Sequence, residues 1–348
     1  MRKTAYLATM NAAGVGSLRR RLLTTQAAFG GTALIVCVLA PFVGPTPISL
    51  GRVFDGSIPF ADNVDAQIFF IARLPRALAG ALVGGALAAA GVVLQALLRN
   101  PLATPFTLGV SAGASLGAML VIIFGVPFSL LGVASVPLAS FAGSLAAVGI
   151  VYSLARLRRQ GLSTNVLLLA GVTLNSLFSA IIMFVQYLSD FSQSFRAIRW
   201  LMGNLDVSGY RPILWALPLL AVALAGFAWL PRSLNLLALG PEHAATRGVN
   251  VLRTQRLAFF SASLATGAAV SLGGPIGFIG IIVPHIVRLM VGADHRIVLP
   301  ASAFLGAAFL VTCDVGARTL MAPVEMPVGV ITAMLGGPFF LWLLIRNR

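Results

Sequence analysis

Ionisable side chains are scarce in this chain, and that scarcity limits the chemistry it can perform. The 348 residues include nine Asp or Glu and three His, and the sole lysine is Lys3. A Walker A loop needs a lysine after its glycines to reach the nucleotide phosphates, so the chain cannot itself be a P-loop ATPase. The histidines, His243, His285 and His295, lack the spacing of a haem or zinc site. We therefore expect no catalytic residue, no metal site and no bound cofactor in this chain.

One polar segment, residues 237–250, has a pattern that predicts a defined local structure. Pro241 suits the first turn of a helix, Glu242 suits its positive N-terminal end, and Gly248 can supply a left-handed C-terminal cap. These three residues frame a helix of about two turns. A helix this short is marginal in water unless something packs against it, so we expect the segment to be docked on a surface.

The elements that position these residues must lie in a membrane. Hydrophobic residues make up 58% of the chain and charged residues only 9%, a composition typical of integral membrane proteins. Crossing the hydrocarbon core of a bilayer takes about 20 apolar residues in a helix. Hydropathy predicts ten such spans, at about 27–44, 75–96, 105–124, 132–154, 165–188, 212–230, 255–273, 276–291, 298–317 and 327–345.

The distribution of positive charge predicts the orientation of these spans. With the N-terminus in the cytoplasm, the inner segments hold 17 of the 24 Lys and Arg residues and the outer segments hold seven, as the positive-inside rule requires. Both termini are then cytoplasmic. The net charge of +15 indicates topology and attraction to anionic membrane lipid rather than binding of nucleic acid.

The domain organisation that follows is simple. We predict a disordered cytoplasmic tail over residues 1–26 and a single transmembrane domain over 27–348, with a longer inner loop at about 231–254. The outer segment from Asp190 to Tyr210 mixes aromatic residues with arginine, which suits a short helix at the membrane interface. Asp314 is the acidic residue that falls clearly within a span, which gives little basis for a proton relay.

Glycine strings in the spans predict close packing between helices. Gly80 and Gly84 form one small-xxx-small pair, and Gly109, Gly113 and Gly117 form a longer ladder on one helix face. The same small side chains could instead line a wide translocation path.

Four blocks of the sequence resemble the iron-chelate and cobalamin permease family (FecCD/BtuC-like) of bacterial ABC importers. They are RLPRALAGALVGGALAAAGVVLQALLRNPLATPFTLGVSAGASLGA at 73–118, LLLAGVTLNSLF at 167–178, LALGPEHAATRGVN at 237–250, and GGPIGFIGIIVPHIVRLMVGADHRIVLPASAFLGAAFL leading to PVEMPVGVITAMLGGPFFLWLL at 273–344. With the loops between them they cover nearly everything after residue 70, and their order and spacing agree with the family.

The resemblance implies an all-α permease subunit with about ten transmembrane helices and the architecture of a type II ABC importer, in the bacterial cytoplasmic (inner) membrane. Its partners would be a second permease, identical or paralogous, two cytoplasmic ABC ATPase subunits that use ATP and Mg, and a periplasmic or lipid-anchored binding protein. The cargo would be a metal chelate. A ferric siderophore ranks first because it is the commonest cargo in the family, with haem and cobalamin as alternatives.

The resemblance also implies roles for three groups of residues. Arginines at the positions of Arg73, Arg76 and Arg318 would meet acidic residues on the binding protein, although snorkelling at the membrane interface would also explain them. A cytoplasmic gate would lie at Ser163, Thr164 and Asn165, where an N-cap is the alternative role. The inner loop would couple to the ATPase, or else rest on this protein's own inner surface. Its contact residues would be Gly240, Pro241, Glu242, His243, Ala244 and Arg247, with Gly248 shaping the turn.

Two other classes of function remain as alternatives. A gradient-driven secondary transporter would work as a single polypeptide without an ATPase, and an ungated channel would leak small ions. The scarcity of charge within the spans argues against both.

Overall fold

The structure is a computed structural model, and it describes residues 2–125, 128–130, 133–156, 164–207 and 209–346. In these ranges the chain is mostly helical, with loops between the helices and a short antiparallel hairpin of two strands. The helices are α1 Arg2–Leu39, α2 Leu50–Val53, α3 Val64–Gln67, α4 Leu74–Leu97, α5 Val110–Phe124, α6 Ser135–Arg156, α7 Thr164–Tyr187, α8 Phe191–Leu201, α9 Arg211–Trp229, α10 Pro231–Leu237, α11 Pro241–Thr246, α12 Val251–Gly273, α13 Ile279–Val291, α14 His295–Thr319 and α15 Val328–Arg346, and the strands are β1 Ser129–Leu130 and β2 Val133–Ala134.

Each of the ten predicted spans corresponds to one long helix, namely α1, α4, α5, α6, α7, α9, α12, α13, α14 and α15. Seven of them are long and apolar enough to cross a membrane alone, and α5, α13 and the apolar part of α15 are shorter. The two ends of this bundle are called inner and outer below, after the predicted orientation.

The short helix α13 needs a non-helical segment to complete its crossing. Its 13 residues extend about 20 Å, which is less than the roughly 30 Å of a hydrocarbon core. Non-helical backbone at that depth must be buried in protein or face a water-filled cavity. Residues 274–278 satisfy this condition because Gly274 packs against the carbonyl oxygen of Trp200, and Asn204 N donates to Gly273 O at 2.9 Å.

Helix α4 forms the centre of the bundle, packed among α12, α13 and α14. Its small residues allow this close approach. A methyl group added at Gly84 would overlap the carbonyl oxygen of Gly306 on α14, and one at Gly91 would overlap that of Gly280 on α13. Gly80 also contacts α14, through Val311. The predicted packing role of the Gly80 and Gly84 pair is therefore confirmed.

Helices α5 and α6 pack in the same way. A methyl group at Gly113 would lie 2.5 Å from Gly143 O, and one at Gly117 would overlap Ala139 O. Gly109 was predicted to belong to this ladder, but it precedes α5 with a left-handed backbone (φ +78). Its role is to turn the chain into the helix, because glycine adopts that conformation without steric cost.

The N-terminal segment differs from its predicted state. A disordered tail was predicted over residues 1–26, whereas the structure has residues 2–26 in the first part of α1. The segment contains no proline, and its alanine, leucine and arginine residues favour helix. Arg21 then joins α1 to the inner end of α13, donating to Val291 O at 2.6 Å.

The predicted interfacial helix after the fifth span is present as α8. Asp190 and Gln193 form a capping box at its start, in which each side chain accepts a hydrogen bond from the backbone of the other. Such reciprocal bonds fix the start of a helix. Phe191 and Phe195 are exposed on its surface.

Candidate functional site

The inner loop contains the short helix that the sequence predicts. Pro241 is at its first position and Glu242 is in its first turn. Val249 N donates to Ala244 O at 3.0 Å, and Gly248 N donates to Ala245 O at 3.0 Å. These are the two bonds of a Schellman motif, and Gly248 has the left-handed backbone (φ +82) that the motif requires. The framing of α11 by Pro241 and Gly248 is confirmed.

The predicted contact residues of α11 divide into two groups. Pro241, Glu242, His243 and Arg247 are exposed and form a surface that a partner could contact. Ala244 was predicted to be part of that surface, but its side chain is fully buried in the core. As the helix turns, Ala244 faces the protein and anchors α11, while its neighbours face outward.

The three arginines at the outer end form one buried cluster. Arg76 donates from Nε to both carboxylate oxygens of Asp314, at 3.0 and 3.1 Å, and from Nη1 to Glu325 at 2.7 Å. Arg318 pairs with the same Asp314 at 3.1 Å. Arg73 donates to the backbone carbonyls of Pro41, Phe42 and Thr46.

Burial restricts how these arginines could meet a partner. Arg73, Arg76 and Arg318 are 5%, 7% and 3% exposed, so they do not project from the outer surface as free docking groups. They do line a cavity of about 260 Å³ together with Glu325 and Asp206. Within the described part of the chain, Nη2 of Arg76 has no hydrogen-bond partner. A partner would reach this cluster through the cavity.

The predicted gate lies at the start of α7. Thr164 is its first residue and is half-buried, and Asn165 is exposed. Ser163 lies outside the described residues. The structure thus places two of the three predicted gate residues at the inner end of the bundle.

A second cavity, of about 420 Å³, lies between α5 and α7, and the sequence analysis missed it. No charged side chain occurs among its described lining residues. Asn175, on α7, donates to the carbonyl oxygen of Phe106 at 2.8 Å. The spacing of the polar side chains on α5 and α7 could have revealed this cavity, because residues four apart share a helix face. The polar side chains that line it are Ser111 and Ser115 on α5, and Asn175, Ser179 and Gln186 on α7.

Comparison with known proteins gives a consistent result. The model of the FecCD transport family matches residues 32–346. The chain is 44% identical to the hemin transport system permease protein HmuU of Yersinia pestis, over 81% of this chain and 84% of that protein. It is 39% identical to the vitamin B12 import system permease protein BtuC of Vibrio cholerae, over 91% of this chain and 92% of that protein.

A solved structure agrees with these relatives. It is described as an inward-facing conformation of a metal-chelate type ABC transporter. It superposes on this chain with a TM-score of 0.80 and 32% sequence identity, and the match covers 92% of this chain and 98% of the solved chain. Together with the bundle of ten long helices, these matches show that the chain belongs to the FecCD transport family and is a multi-pass membrane permease subunit of an ABC importer.

Proposed function

We propose that this permease carries a metal chelate across the cytoplasmic membrane, with energy from ATP and Mg used by two separate ATPase subunits. The observation that carries the energy-coupling part of the proposal is the geometry of α11. One side of this helix is anchored by the fully buried Ala244, while Glu242, His243 and Arg247 are exposed. A docked helix with a free polar face can receive a displacement from a partner and pass it to the membrane helices.

The proposed pathway runs beside α7. A membrane helix that faces lipid is expected to be apolar, whereas polar side chains at membrane depth face the bundle interior or a water-filled cavity. Ser111, Asn175 and Gln186 line such a cavity. We propose that this side of α7 faces the translocation pathway and a second permease subunit.

The cargo is proposed at the level of a metal chelate. The relatives named for hemin and vitamin B12 make metal macrocycles the first compounds to test, together with the ferric siderophore that family frequency favours. The binding protein that delivers the cargo would dock at the outer cavity lined by Arg73, Arg76 and Arg318.

The test is reconstitution of the importer in liposomes. The permease is purified with the ATPase and binding-protein subunits of the same importer, and uptake of radiolabelled hemin, cobalamin and a ferric siderophore is measured. We expect uptake of one of these chelates that requires ATP, Mg and the binding protein. An ATPase lacking its Walker A lysine serves as the control. Uptake driven by an ion gradient with the permease alone would instead support the secondary transporter.

A further inference from the structure

Asn235, in the middle of α10, contacts the turn between α13 and α14 through both polar atoms of its side chain. Nδ2 donates to Asp294 Oδ1 at 2.7 Å. Oδ1 accepts from the backbone N–H of His295 at 2.9 Å and lies 2.7 Å from Nδ1 of the same residue. One short side chain therefore fixes α10 against the first turn of α14.

Asp294 is a strong acceptor for this contact because it remains charged. Its carboxylate caps α14 by accepting from Arg296 N at 3.0 Å, and it also accepts from the Arg296 guanidinium at 2.6 to 3.0 Å. The hydrogen bonds from the Arg296 side chain, and then those from Asn235 and the Arg296 backbone, hold the pKa of Asp294 well below its usual range. A hydrogen bond to an ionised acceptor is roughly twice as strong as one between neutral groups.

This contact is the polar connection between the membrane helices and the coupling segment, which is residues 231–246 and comprises α10 and α11. Within the described ranges, every hydrogen bond from residues 231–246 to a membrane helix distant in sequence comes from Asn235. Leu234 and Leu237 also hold α10 by burial in the core. The hydrophobic driving force is non-directional, whereas the hydrogen bonds specify that Asn235 lies against Asp294 and His295.

The helix that Asn235 holds extends to the outer cluster. α14 extends from His295 to Thr319, with Pro300 in its second turn, a length of about 37 Å, and it carries Asp314 and Arg318 at its far end. A displacement of α10 and α11 that moves the start of α14 is therefore applied to the same helix that contributes Arg318 to the outer cavity.

We infer that Asn235 is a positioning residue that transmits movement of the coupling helix α11 to α14, an inference that rests on the proposed coupling function. It does not contact ATP or cargo. It fixes the geometric relation between α10 and α14, so that closure of the ATPase subunits moves α14 rather than sliding the coupling segment over the inner surface.

Four variants test this role in the reconstituted importer: Asn235→Leu, Asn235→Asp, Asp294→Asn and the double variant Asn235→Asp/Asp294→Asn. The measured quantity is the amount of cargo moved per ATP hydrolysed, which does not depend on the amount of complex. We expect Asn235→Leu to lower this ratio about fivefold or more. A factor of about five is the lower end of the coupling usually found between two sites in a protein. Asn235→Asp places a second carboxylate beside Asp294 and should lower the ratio further.

The double variant separates positioning from general loss of structure. It restores a donor and an acceptor with reversed polarity, because the amide at position 294 can donate to the carboxylate at position 235. We expect its ratio to recover towards the unmodified value and to exceed that of Asn235→Asp. Asn63→Leu is the matched control, because the side chain of Asn63, like that of Asn235, both donates and accepts a hydrogen bond, but it lies at the outer end.

Each result has a distinct meaning. An unchanged ratio in both Asn235→Leu and Asn235→Asp would overturn the inference, and so would a double variant no better than Asn235→Asp. If Asn235→Leu fails to assemble, the comparison of Asn235→Asp with the double variant decides. Absence of ATP-driven uptake by the unmodified importer would overturn the proposed function and this inference together, whereas a coupled importer with insensitive variants would overturn the inference alone.

Discussion

Arg76 and Asp314 join the outer ends of α4 and α14 through two hydrogen bonds of 3.0 and 3.1 Å between the guanidinium Nε and the carboxylate. Both side chains are buried, and Asp314 is 1% exposed. The same carboxylate also pairs with Arg318. Asp314 thus pairs with two buried cations at the outer end, and Glu325 gives Arg76 a second acidic partner.

Removing this carboxylate should destabilise the protein strongly. Asp314→Asn leaves Arg76 and Arg318 without their shared anion, and breaking a buried ion pair by removing one partner costs about 3–5 kcal/mol. Asp62→Asn is the control, because Asp62 is exposed and such substitutions usually change stability by less than about 0.5 kcal/mol. The measurement is the apparent melting temperature in detergent, and equal values for the two variants would contradict the prediction.

Docking of the binding protein should depend on the arginines of the outer cavity. We expect Arg73→Glu and Arg318→Glu to weaken association with the binding protein by roughly tenfold or more, and to reduce its dependence on salt, since charged contacts are screened by ions. Pull-down from detergent over a series of salt concentrations measures both effects.

Burial of these arginines makes controls necessary for the docking experiment. The milder variants Arg73→Gln and Arg318→Gln are compared at equal amounts of monodisperse protein. Arg52→Glu controls for charge alone, because Arg52 is an exposed outer arginine. If folded charge-reversal variants bind as the unmodified chain does, the arginines serve only to hold helix ends.

Energy coupling should depend on the backbone conformation of Gly248. A Cβ atom at this position would meet no other atom within 4 Å, so substitution mainly tests the left-handed conformation. We expect Gly248→Val to strain it by roughly 1–2 kcal/mol and to reduce cargo uptake relative to ATP hydrolysis. Gly248→Asn should retain more coupling, because asparagine tolerates this conformation. Full coupled uptake by Gly248→Val and by a doubly substituted Glu242 and Arg247 variant would reject the coupling role.

The inner gate can be tested by cross-linking between subunits. After replacement of Cys37 and Cys313, Thr164→Cys should form a disulfide between two permease subunits in one nucleotide state and less in another. Arg253→Cys is the control, because Arg253 is exposed near the start of α12 and is not part of the predicted gate. Cross-linking that is absent at position 164 in every nucleotide state would count against the gate.

Close packing of α5 on α6 should make two glycines respond oppositely to the same substitution. Gly117→Ala would overlap the carbonyl oxygen of Ala139, whereas Gly149→Ala meets no atom within 4 Å. Overpacking costs about 1–3 kcal/mol, and alanine is favoured over glycine in a helix by up to about 1 kcal/mol. We therefore expect a lower melting temperature for Gly117→Ala and an equal or higher one for Gly149→Ala.

Local features were predictable from the sequence, and contacts between distant segments were not. Pro241 and Gly248 define α11 because proline and glycine restrict the backbone near their own positions. Arg76 and Asp314 are 238 residues apart, and Asn235 and Asp294 are 59 apart, so nothing in local spacing reveals that they meet. Burial of Ala244 depends in the same way on the surface beneath it.

Errors in the sequence analysis have physical causes of the same kind. Gly109 fits the spacing of a packing ladder, but the turn before α5 uses it for its left-handed backbone. Phe278 adopts a left-handed backbone too (φ +67), which is rare for a bulky residue. No residue-type rule predicts it, because the packing around residues 273–278 imposes it.

The long separation between Arg76 and its acidic partners also bears on biogenesis. When α4 leaves the ribosome, its outer end already carries Arg73 and Arg76, but Asp314 and Glu325 are synthesised 238 and 249 residues later. An arginine that lacks its partner is costly to place within a bilayer. The ion pairs that bury the outer end of the central helix can therefore form only after α14 and the segment that follows it have been made.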